Sequence, residues 1–249
     1  MSVYSTIQSR KFVLTKEEAD YFANQDMKQY VNMIAMHRNQ NTKDFAEDRE
    51  TYYYEHGEHP CCPYISPYTV GLRAFANIIS TFVSDKKCQM IDIAAGSGLL
   101  GFEMKKLGFE NIDGLEPLED MINMQISGIY GKLYRELISK ETPTSIPTGS
   151  YDCAVVGAGI YAGHIEADAL PEIIRYVKPG GFIILNIGDY WYRFKQFGPA
   201  LETKLQQCLE TGVLETVIKQ RTIYMYNCDD ANVYILKKGS NKIIENGIE

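Results

Sequence analysis

Apolar and polar positions alternate along this chain in a way that separates strands from helices. Five apolar runs have strand length, and stretches with helical spacing lie between them; the runs are 90–94, 111–116, 132–138, 151–159 and 182–187. Strands that alternate with helices are typical of a parallel sheet with helices on both faces. The pattern therefore predicts an α/β fold with a doubly wound, mainly parallel sheet.

The helices are predicted from apolar spacing and from residues that begin or end a helix. Ser66-Pro67 opens one whose buried stripe runs from Phe75 to Val83, since proline is favoured at the first helical position. Gly108 ends a second helix, and the turn 178–181 stops a third. The remaining predicted elements are helices over about 118–127 and 195–210, and a hairpin formed by 219–227 and 232–238.

The first 65 residues differ in character from the rest of the chain. Thr15-Lys16-Glu17-Glu18 is a capping box, and apolar residues at helical spacing follow it, so a helix is expected over 16–37. The next stretch is polar and aromatic, contains proline and has no clear period. We expect an N-terminal helical cap, residues 1–65, and an α/β domain, residues 66–249.

Composition limits the classes of function. The net charge is −7 and basic residues occur in runs of no more than two, such as Lys237-Lys238, so the sequence lacks the basic stripe of duplex-binding proteins. No run approaches the roughly 20 apolar residues that span a bilayer, and the N-terminus has no apolar signal core. The sequence predicts a cytoplasmic protein that binds neither nucleic acid nor membranes.

The six cysteines fit a reducing compartment better than a disulfide framework, because a chain of 249 residues can bury an adequate core without cross-links. One cluster, residues 56–62 (HGEHPCC), contains two histidines and two thiols. Zinc binds such side chains, but its usual ligand pairs are separated by a longer loop. We therefore expect a polar loop over the active site there, and no metal.

A glycine-rich turn after the first strand carries the clearest chemical signal. Gly96, Gly98 and Gly101 satisfy G-x-G-x-x-G, and Glu116 stands 20 residues beyond Gly96, after the second strand. Alone, this pattern suits a nicotinamide or flavin cofactor. Asp92 opposes that interpretation, because a carboxylate four residues before Gly96 would repel a pyrophosphate. S-adenosylmethionine has no phosphate, and its cationic amine and sulfonium favour a nearby carboxylate.

Four segments together resemble the class I S-adenosylmethionine-dependent methyltransferases. They are IDIAAGSGLLG, Glu116 after the second strand, SYDCAVVG and LPEIIRYVKPGGFIILN, in the family's order over about residues 66–238. The stretch YAGHIEADALPEIIRYVKPGG resembles more narrowly the methyltransferase-like proteins of the Williams–Beuren syndrome region. The resemblance implies S-adenosylmethionine as cofactor, S-adenosylhomocysteine as product, and a seven-stranded sheet of order 3-2-1-4-5-7-6 whose last strand is antiparallel.

The resemblance also implies which residues bind this cofactor. Asp92, Gly96 and Gly98 would line its methionine part, and Glu116 would accept hydrogen bonds from the ribose hydroxyls. The adenine and the floor of the site would be formed by Pro117, Leu118, Met121, Gly157 and Ala158.

Two of the implied contacts stay open between neighbouring residues. The acid that the family places after the third strand is not clearly present, so the adenine edge is assigned to one of Ser139, Lys140 and Glu141. An aromatic residue before the first helix often meets the cofactor carboxylate in such enzymes. The candidates are Tyr52, Tyr53 and Tyr54, with Tyr54 favoured.

The expected reaction is methyl transfer to N, O or S of a small molecule, with an amine or aromatic acceptor favoured. His164 and Tyr161 follow the fourth strand, where a side chain could take a proton from the acceptor. Aromatic residues expected at the substrate mouth, where they would attract cations and pack on rings, are Tyr53, Tyr64, Tyr68, Trp191 and Tyr192. The alternatives are an NAD(P)-dependent oxidoreductase and a catalytically idle methyltransferase fold that serves protein interaction.

Overall fold

Eight strands and five α-helices form the part of the chain that the computed structural model describes, residues 5–6, 67–123, 125, 127–139, 143–160, 164–188, 197–223 and 230–240. The strands are the two-residue Ser5–Thr6, then β1 (Gln89–Ile93), β2 (Asn111–Leu115), β3 (Leu133–Tyr134), β4 (Tyr151–Gly157), β5 (Val177–Gly188), β6 (Leu214–Ile223) and β7 (Asp230–Lys238). The helices are α1 (Pro67–Phe82), α2 (Leu99–Lys106), α3 (Glu119–Asn123), α4 (Leu170–Tyr176) and α5 (Phe197–Glu210). A 3-10 turn, Ala167–Ala169, precedes α4.

The numbered strands form one sheet in the order 3-2-1-4-5-7-6, as the resemblance to the class I S-adenosylmethionine-dependent methyltransferases implies. Neighbours pair in parallel except β7, which is antiparallel to β5 and β6. Ser5–Thr6 pairs in parallel with β6, so the predicted cap contributes two residues to the edge of the sheet. The predicted helix 16–37 and the rest of the cap lie outside the described residues.

The apolar runs become strands that are buried along most of their length. Residues 153–156 of β4 are fully buried, which explains why that segment is a continuous apolar run rather than an alternating one. In α1 the predicted stripe packs as expected, with Phe75 and Ile79 buried in the core. Leu72 and Phe75 of α1 face Gly157, so this helix lies over the carboxyl end of β4.

Two elements near β2 are shorter than the sequence predicts. The helix expected over about 118–127 is only α3, and the strand expected over 132–138 is only β3. β3 is an edge strand, and its pairing with β2 covers only two residues on each strand. The backbone N–H of Glu116 still donates to the carbonyl oxygen of Tyr134 at 3.0 Å, while the Glu116 side chain accepts the N–H of Gly96. Beyond Tyr134, the side chain of Arg135 binds the carboxylate of Glu119.

The turn 178–181 does not stop the preceding helix, contrary to the prediction. α4 ends at Tyr176, and Val177 already pairs with Tyr151 of β4. The turn lies within β5 as a bulge, since the next pair in register is Cys153 with Phe182. The Nζ of Lys238 donates to the carbonyl oxygen of Val177 at 2.7 Å and to that of Ile174 at 3.0 Å, so the helix end is satisfied by a buried ammonium.

Candidate functional site

The glycine turn, residues 94–98, lies at the carboxyl end of β1 and contains three residues with positive φ. Ala94, Gly96 and Gly98 have φ of +55°, +54° and +84°, the left-handed region in which a Cβ is costly. The backbone N–H of Ala95 donates to the carbonyl oxygen of Leu115 at 3.1 Å, which attaches the turn to β2. α2 begins directly after Gly98. The turn is therefore a strained backbone segment held against two strands, a common feature of ligand sites.

Asp92 lies beneath this turn and is 1% exposed. Its Oδ2 accepts a hydrogen bond of 2.7 Å from the hydroxyl of Tyr130. The backbone N–H of Gly101, in the first turn of α2, is close enough to lower the pKa of this carboxyl. Burial raises the pKa of Asp92 to about 7, and the negative charge of Glu116 acts in the same direction against these two donors. The site thus holds a carboxylate that a cation would stabilise in its ionised form.

Glu116 stands at the end of β2 and is also buried, with 5% of its surface exposed. Its Oε2 accepts a 2.8 Å hydrogen bond from the N–H of Gly96, and its Oε1 accepts one of 3.0 Å from the N–H of Leu118. A carboxylate offers about four acceptor positions, so a bond from the backbone on each oxygen is compatible with a further pair from a diol. Asp92 and Glu116 therefore bracket the glycine turn from two adjacent parallel strands.

Two residues of this site were not predicted from the sequence. Gln125 donates from Nε2 to the carbonyl oxygen of Gly96 at 2.7 Å, and Tyr130 donates to Asp92. Both belong to the connection between α3 and β3, part of which was expected to be helical. The sequence signals there are Gly128 and Gly131, which mark a turn around Tyr130 and say nothing about its partner.

The carboxyl end of β4 lies beside the glycine turn. Ala158 has φ of +57° and is buried, and the space where a Cβ of Gly159 would stand is only 2.7 Å from the Cβ of Ala94. The carbonyl oxygen of Gly159 lies 2.6 Å from Nδ1 of the half-buried His164. A carbonyl can only accept, so Nδ1 carries the hydrogen of this bond, and in the neutral ring Nε2 is the nitrogen that can take up a proton. His164 is thus linked to the glycine turn through one residue.

The structure brings some further predicted residues to the site. Met121 is buried with its Cε 3.4 Å from the place of a Gly96 Cβ, so it packs against the turn. Leu118 is half-buried and Pro117 is exposed. Gly157 faces Leu100 of α2, 2.9 Å from where its Cβ would stand. Ser139 is half-buried beyond the end of the shortened β3, and its adenine contact stays a prediction.

Most predicted aromatic contacts fall outside the described residues. These are Tyr52, Tyr53, Tyr54, Tyr64, Tyr161, Trp191 and Tyr192, together with Lys140, Glu141 and the His/Cys cluster 56–62. Tyr68 lies in α1, but its side chain is not among those described. Their roles therefore remain predictions.

The remaining described residues add little further chemistry. Cys88, Cys153 and Cys208 are free and buried, and burial raises the pKa of the Cys88 thiol to about 11, which makes it a poor nucleophile. In the described segments no three His, Cys, Asp or Glu side chains are placed to share a metal ion. No helix among them is long and apolar enough to pass through a membrane.

Comparison with curated sequences gives one informative relative. Human methyltransferase-like protein 27 is 27% identical to this chain over 130 residues, which cover 52% of the chain and 52% of that protein. The match therefore spans about half the length of this curated relative. No family model matches the chain.

Solved structures extend the likeness over most of the chain. A candidate S-adenosyl-L-methionine-dependent methyltransferase from Methanococcus maripaludis is 14% identical, with a TM-score of 0.53, and the match covers 83% of this chain and 98% of that one. A 1,6-didemethyltoxoflavin-N1-methyltransferase from Burkholderia thailandensis, solved with 1,6-didemethyltoxoflavin and S-adenosylhomocysteine bound, is 13% identical, with a TM-score of 0.52 and coverage of 86% and 91%. At this identity the likenesses establish a shared fold, and the chemistry must be argued from the site.

Proposed function

We propose that this chain, which has the fold of the class I S-adenosylmethionine-dependent methyltransferases, binds S-adenosylmethionine and transfers its methyl group to a small molecule. The observation that carries the proposal is the position of Asp92. Its carboxylate is buried beneath the glycine turn and accepts the hydroxyl of Tyr130 at 2.7 Å, and the nearby N–H of Gly101 in the first turn of α2 favours its ionised form.

This arrangement favours a cationic ligand over a phosphate. A pyrophosphate binds at a helix N-terminus through the free N–H groups of the first turn. Here one of those N–H groups, that of Gly101, already acts on the carboxylate of Asp92, and the negative charge of a second carboxylate, Glu116, acts on Asp92 as well. A dianionic group would meet two buried acids, whereas an ammonium or sulfonium would compensate them. The residues present therefore fit S-adenosylmethionine and disfavour a nicotinamide dinucleotide.

Each residue proposed to bind the cofactor has a role that its position in the site supports. Asp92 holds the cationic end of the cofactor, and Glu116 accepts hydrogen bonds from the two ribose hydroxyls. Met121, packed against Gly96, contributes the apolar surface for the adenine. The glycine turn allows the ligand to approach the backbone closely, because Gly96 and Gly98 carry no Cβ.

The protein's part in the reaction is positioning and proton handling. When bound, S-adenosylmethionine supplies an electrophilic methyl group on a sulfonium. Alignment of the acceptor with that group can supply much of the rate enhancement for an amine or a thiol. His164, with Nδ1 held by the carbonyl of Gly159, is placed to take a proton at Nε2 from an acceptor that must lose one.

A small-molecule acceptor is supported by charge and by one relative. The net charge of −7 disfavours a polyanionic substrate such as nucleic acid and suits a neutral or cationic acceptor. The Burkholderia protein with the same fold is named for methylation at N1 of 1,6-didemethyltoxoflavin. An amine or an aromatic heterocycle is therefore the first class of acceptor to screen.

Binding measurements with three ligands test the proposal. S-adenosylmethionine, S-adenosylhomocysteine and a reduced nicotinamide cofactor are each added to the full chain in calorimetry and in thermal unfolding. A ligand at 100 times its dissociation constant stabilises the folded state by about 2.7 kcal/mol. We expect a response to the first two ligands and none to the third. A response to the nicotinamide alone would identify an oxidoreductase, and silence from all three would favour a fold that serves protein interaction.

The acceptor screen needs a variant that separates binding from catalysis. His164→Gln keeps a polar side chain and removes the ring nitrogen that can accept a proton. We expect it to bind S-adenosylhomocysteine as tightly as the unsubstituted chain and to turn over a hydroxyl acceptor more slowly. Unchanged turnover of such an acceptor would remove His164 from the mechanism.

A further inference from the structure

The ring of Tyr130 occupies a slot made by three glycines from three different segments. A Cβ on Gly101 would stand 2.8 Å from the ring, one on Gly114 would stand 3.2 Å from it, and one on Gly98 would stand 3.4 Å from it. These glycines belong to α2, to β2 and to the turn between β1 and α2. Any side chain at Gly101 would collide with the phenol, because real Cβ atoms do not approach other heavy atoms so closely.

The slot directs the hydroxyl of Tyr130 to Asp92 in the cofactor site. The hydroxyl donates to Oδ2 of Asp92 at 2.7 Å, the distance of a hydrogen bond to a charged acceptor. Asp92 is the acid that the proposed function assigns to the cationic end of the cofactor. Tyr130 is half-buried and lies behind that acid, in a segment held to the glycine turn by Gln125 as well.

We propose that Tyr130 is the positioning residue of the cofactor site: its phenol orients the Asp92 carboxylate and keeps it in the ionised form that binds a cation. This inference rests on the proposed function. It also gives the third glycine of the G-x-G-x-x-G pattern a purpose, since Gly101 is small so that Tyr130 can reach Asp92. In a dinucleotide-binding protein that glycine would serve close packing of the helix on the strand instead.

Groups from three parts of the fold change the pKa of Asp92, and they do so in opposite directions. Glu116, at the end of β2, adds a like charge that disfavours ionisation. The Gly101 N–H from α2 and the hydroxyl of Tyr130 favour it, and the Tyr130 bond is the larger of these two effects. Without the hydroxyl the pKa of Asp92 rises further above its ordinary value, and a cationic ligand must displace a proton from Asp92 over a wider range of pH.

The test is Tyr130→Phe in the full chain, because phenylalanine keeps the ring in the slot and removes only the hydroxyl. Affinity for S-adenosylmethionine and S-adenosylhomocysteine is measured by calorimetry at pH 6, 7 and 8.5. Loss of a hydrogen bond to a charged group raises the pKa of Asp92 by about one unit. We therefore expect affinity to fall about tenfold at pH 6 and less than twofold at pH 8.5, where Asp92 is ionised in both proteins.

Tyr151→Phe is the matched control. Tyr151 donates to Oδ2 of Asp113 at 2.8 Å, so the same tyrosine–aspartate bond is removed at the opposite end of the parallel strands. This control should leave the affinity and its pH dependence unchanged. As a second readout without ligand, the pH at which the decline of thermal stability ends, about 7 in the unsubstituted chain, should move up by about one unit in Tyr130→Phe alone.

The outcomes separate this inference from the proposed function. If the unsubstituted chain binds neither ligand at any pH, the proposed function fails and the inference falls with it. If the chain binds both and Tyr130→Phe binds them equally well, only the inference is overturned. An equal loss at all three pH values would assign Tyr130 to packing and would also overturn it.

Discussion

Replacing Asp92 by asparagine should make this protein more stable at neutral pH while it disables the proposed cofactor site. Asp92 is buried, and its pKa is about 7 in the folded chain against an ordinary value of 3.8. Because burial raises the pKa of this acid, the folded state binds its proton more tightly than the unfolded chain does. Stability from Asp92 is therefore present below about pH 4 and is lost as the pH rises to 7.

The size of the effect follows from that interval. Between pH 5 and pH 7 the folded chain holds one proton on Asp92 that the unfolded chain has lost. The free energy of unfolding therefore falls by about 1.4 kcal/mol for each unit that the pH rises, or by about 2.7 kcal/mol in all. Asparagine has no charge to bury, so Asp92→Asn lacks this slope. The amide N–H₂ of the asparagine would face Tyr130 or Gly101, and since both groups are donors that hydrogen bond is lost. The loss costs about 1–3 kcal/mol of stability at every pH.

The assay compares the two proteins at pH 5 and at pH 8 by urea unfolding and by thermal unfolding. The pH-independent cost cancels in the difference between the two pH values. The variant should gain about 2–3 kcal/mol relative to the unsubstituted chain between pH 5 and pH 8, which corresponds to about 5–10 °C for a domain of this size. Equal pH dependence of the two proteins would refute the argument that Asp92 is ionised at a cost.

Asp152→Asn provides the control of opposite kind. Partial burial raises the pKa of Asp152, but hydrogen bonds from the ammonium of Lys178 and the N–H of Gln89 outweigh it and hold that pKa below 3.8. Asp152 is therefore ionised in both folded and unfolded states from pH 5 to pH 8. The stability gap between this variant and the unsubstituted chain should be the same at both pH values.

Two further substitutions test the packing around the site. Gly101→Ala should lower the free energy of unfolding by about 1–3 kcal/mol, because the new methyl group would stand 2.6 Å from Ile129 and 2.8 Å from Tyr130. A thermal midpoint equal to that of the unsubstituted chain would show that the space beside Gly101 can hold a methyl group. Asn186→Leu should raise the thermal midpoint, because Asn186 is 1% exposed and neither its Oδ1 nor its Nδ2 has a hydrogen-bond partner among the described residues. Leucine of similar volume removes that cost of about 1–3 kcal/mol, and a lower midpoint would mean that the amide is bonded in solution.

The fold was predictable because its signals are local. Strands β1, β2, β4 and β5 contain apolar runs, and the spacing of apolar residues marks α1 and α5. The local signal fails at the edge of the sheet, where β3 keeps only Leu133–Tyr134 of the apolar run 132–138 and pairs with one neighbour. Where α4 ends at Tyr176, the Nζ of Lys238, 62 positions later in the chain, donates to the carbonyl oxygens of Ile174 and Val177.

The site divides in the same way. The glycine turn and its two acids can be read from the sequence, because a left-handed turn needs Gly96 and Gly98, and because Asp92 and Glu116 lie at the ends of recognisable strands. The folded chain is needed to show that Tyr130 donates to Asp92 and that Gln125 supports Gly96. These two contacts join residues 38 and 29 positions apart, and no periodicity records which distant side chain fills a gap left by glycine.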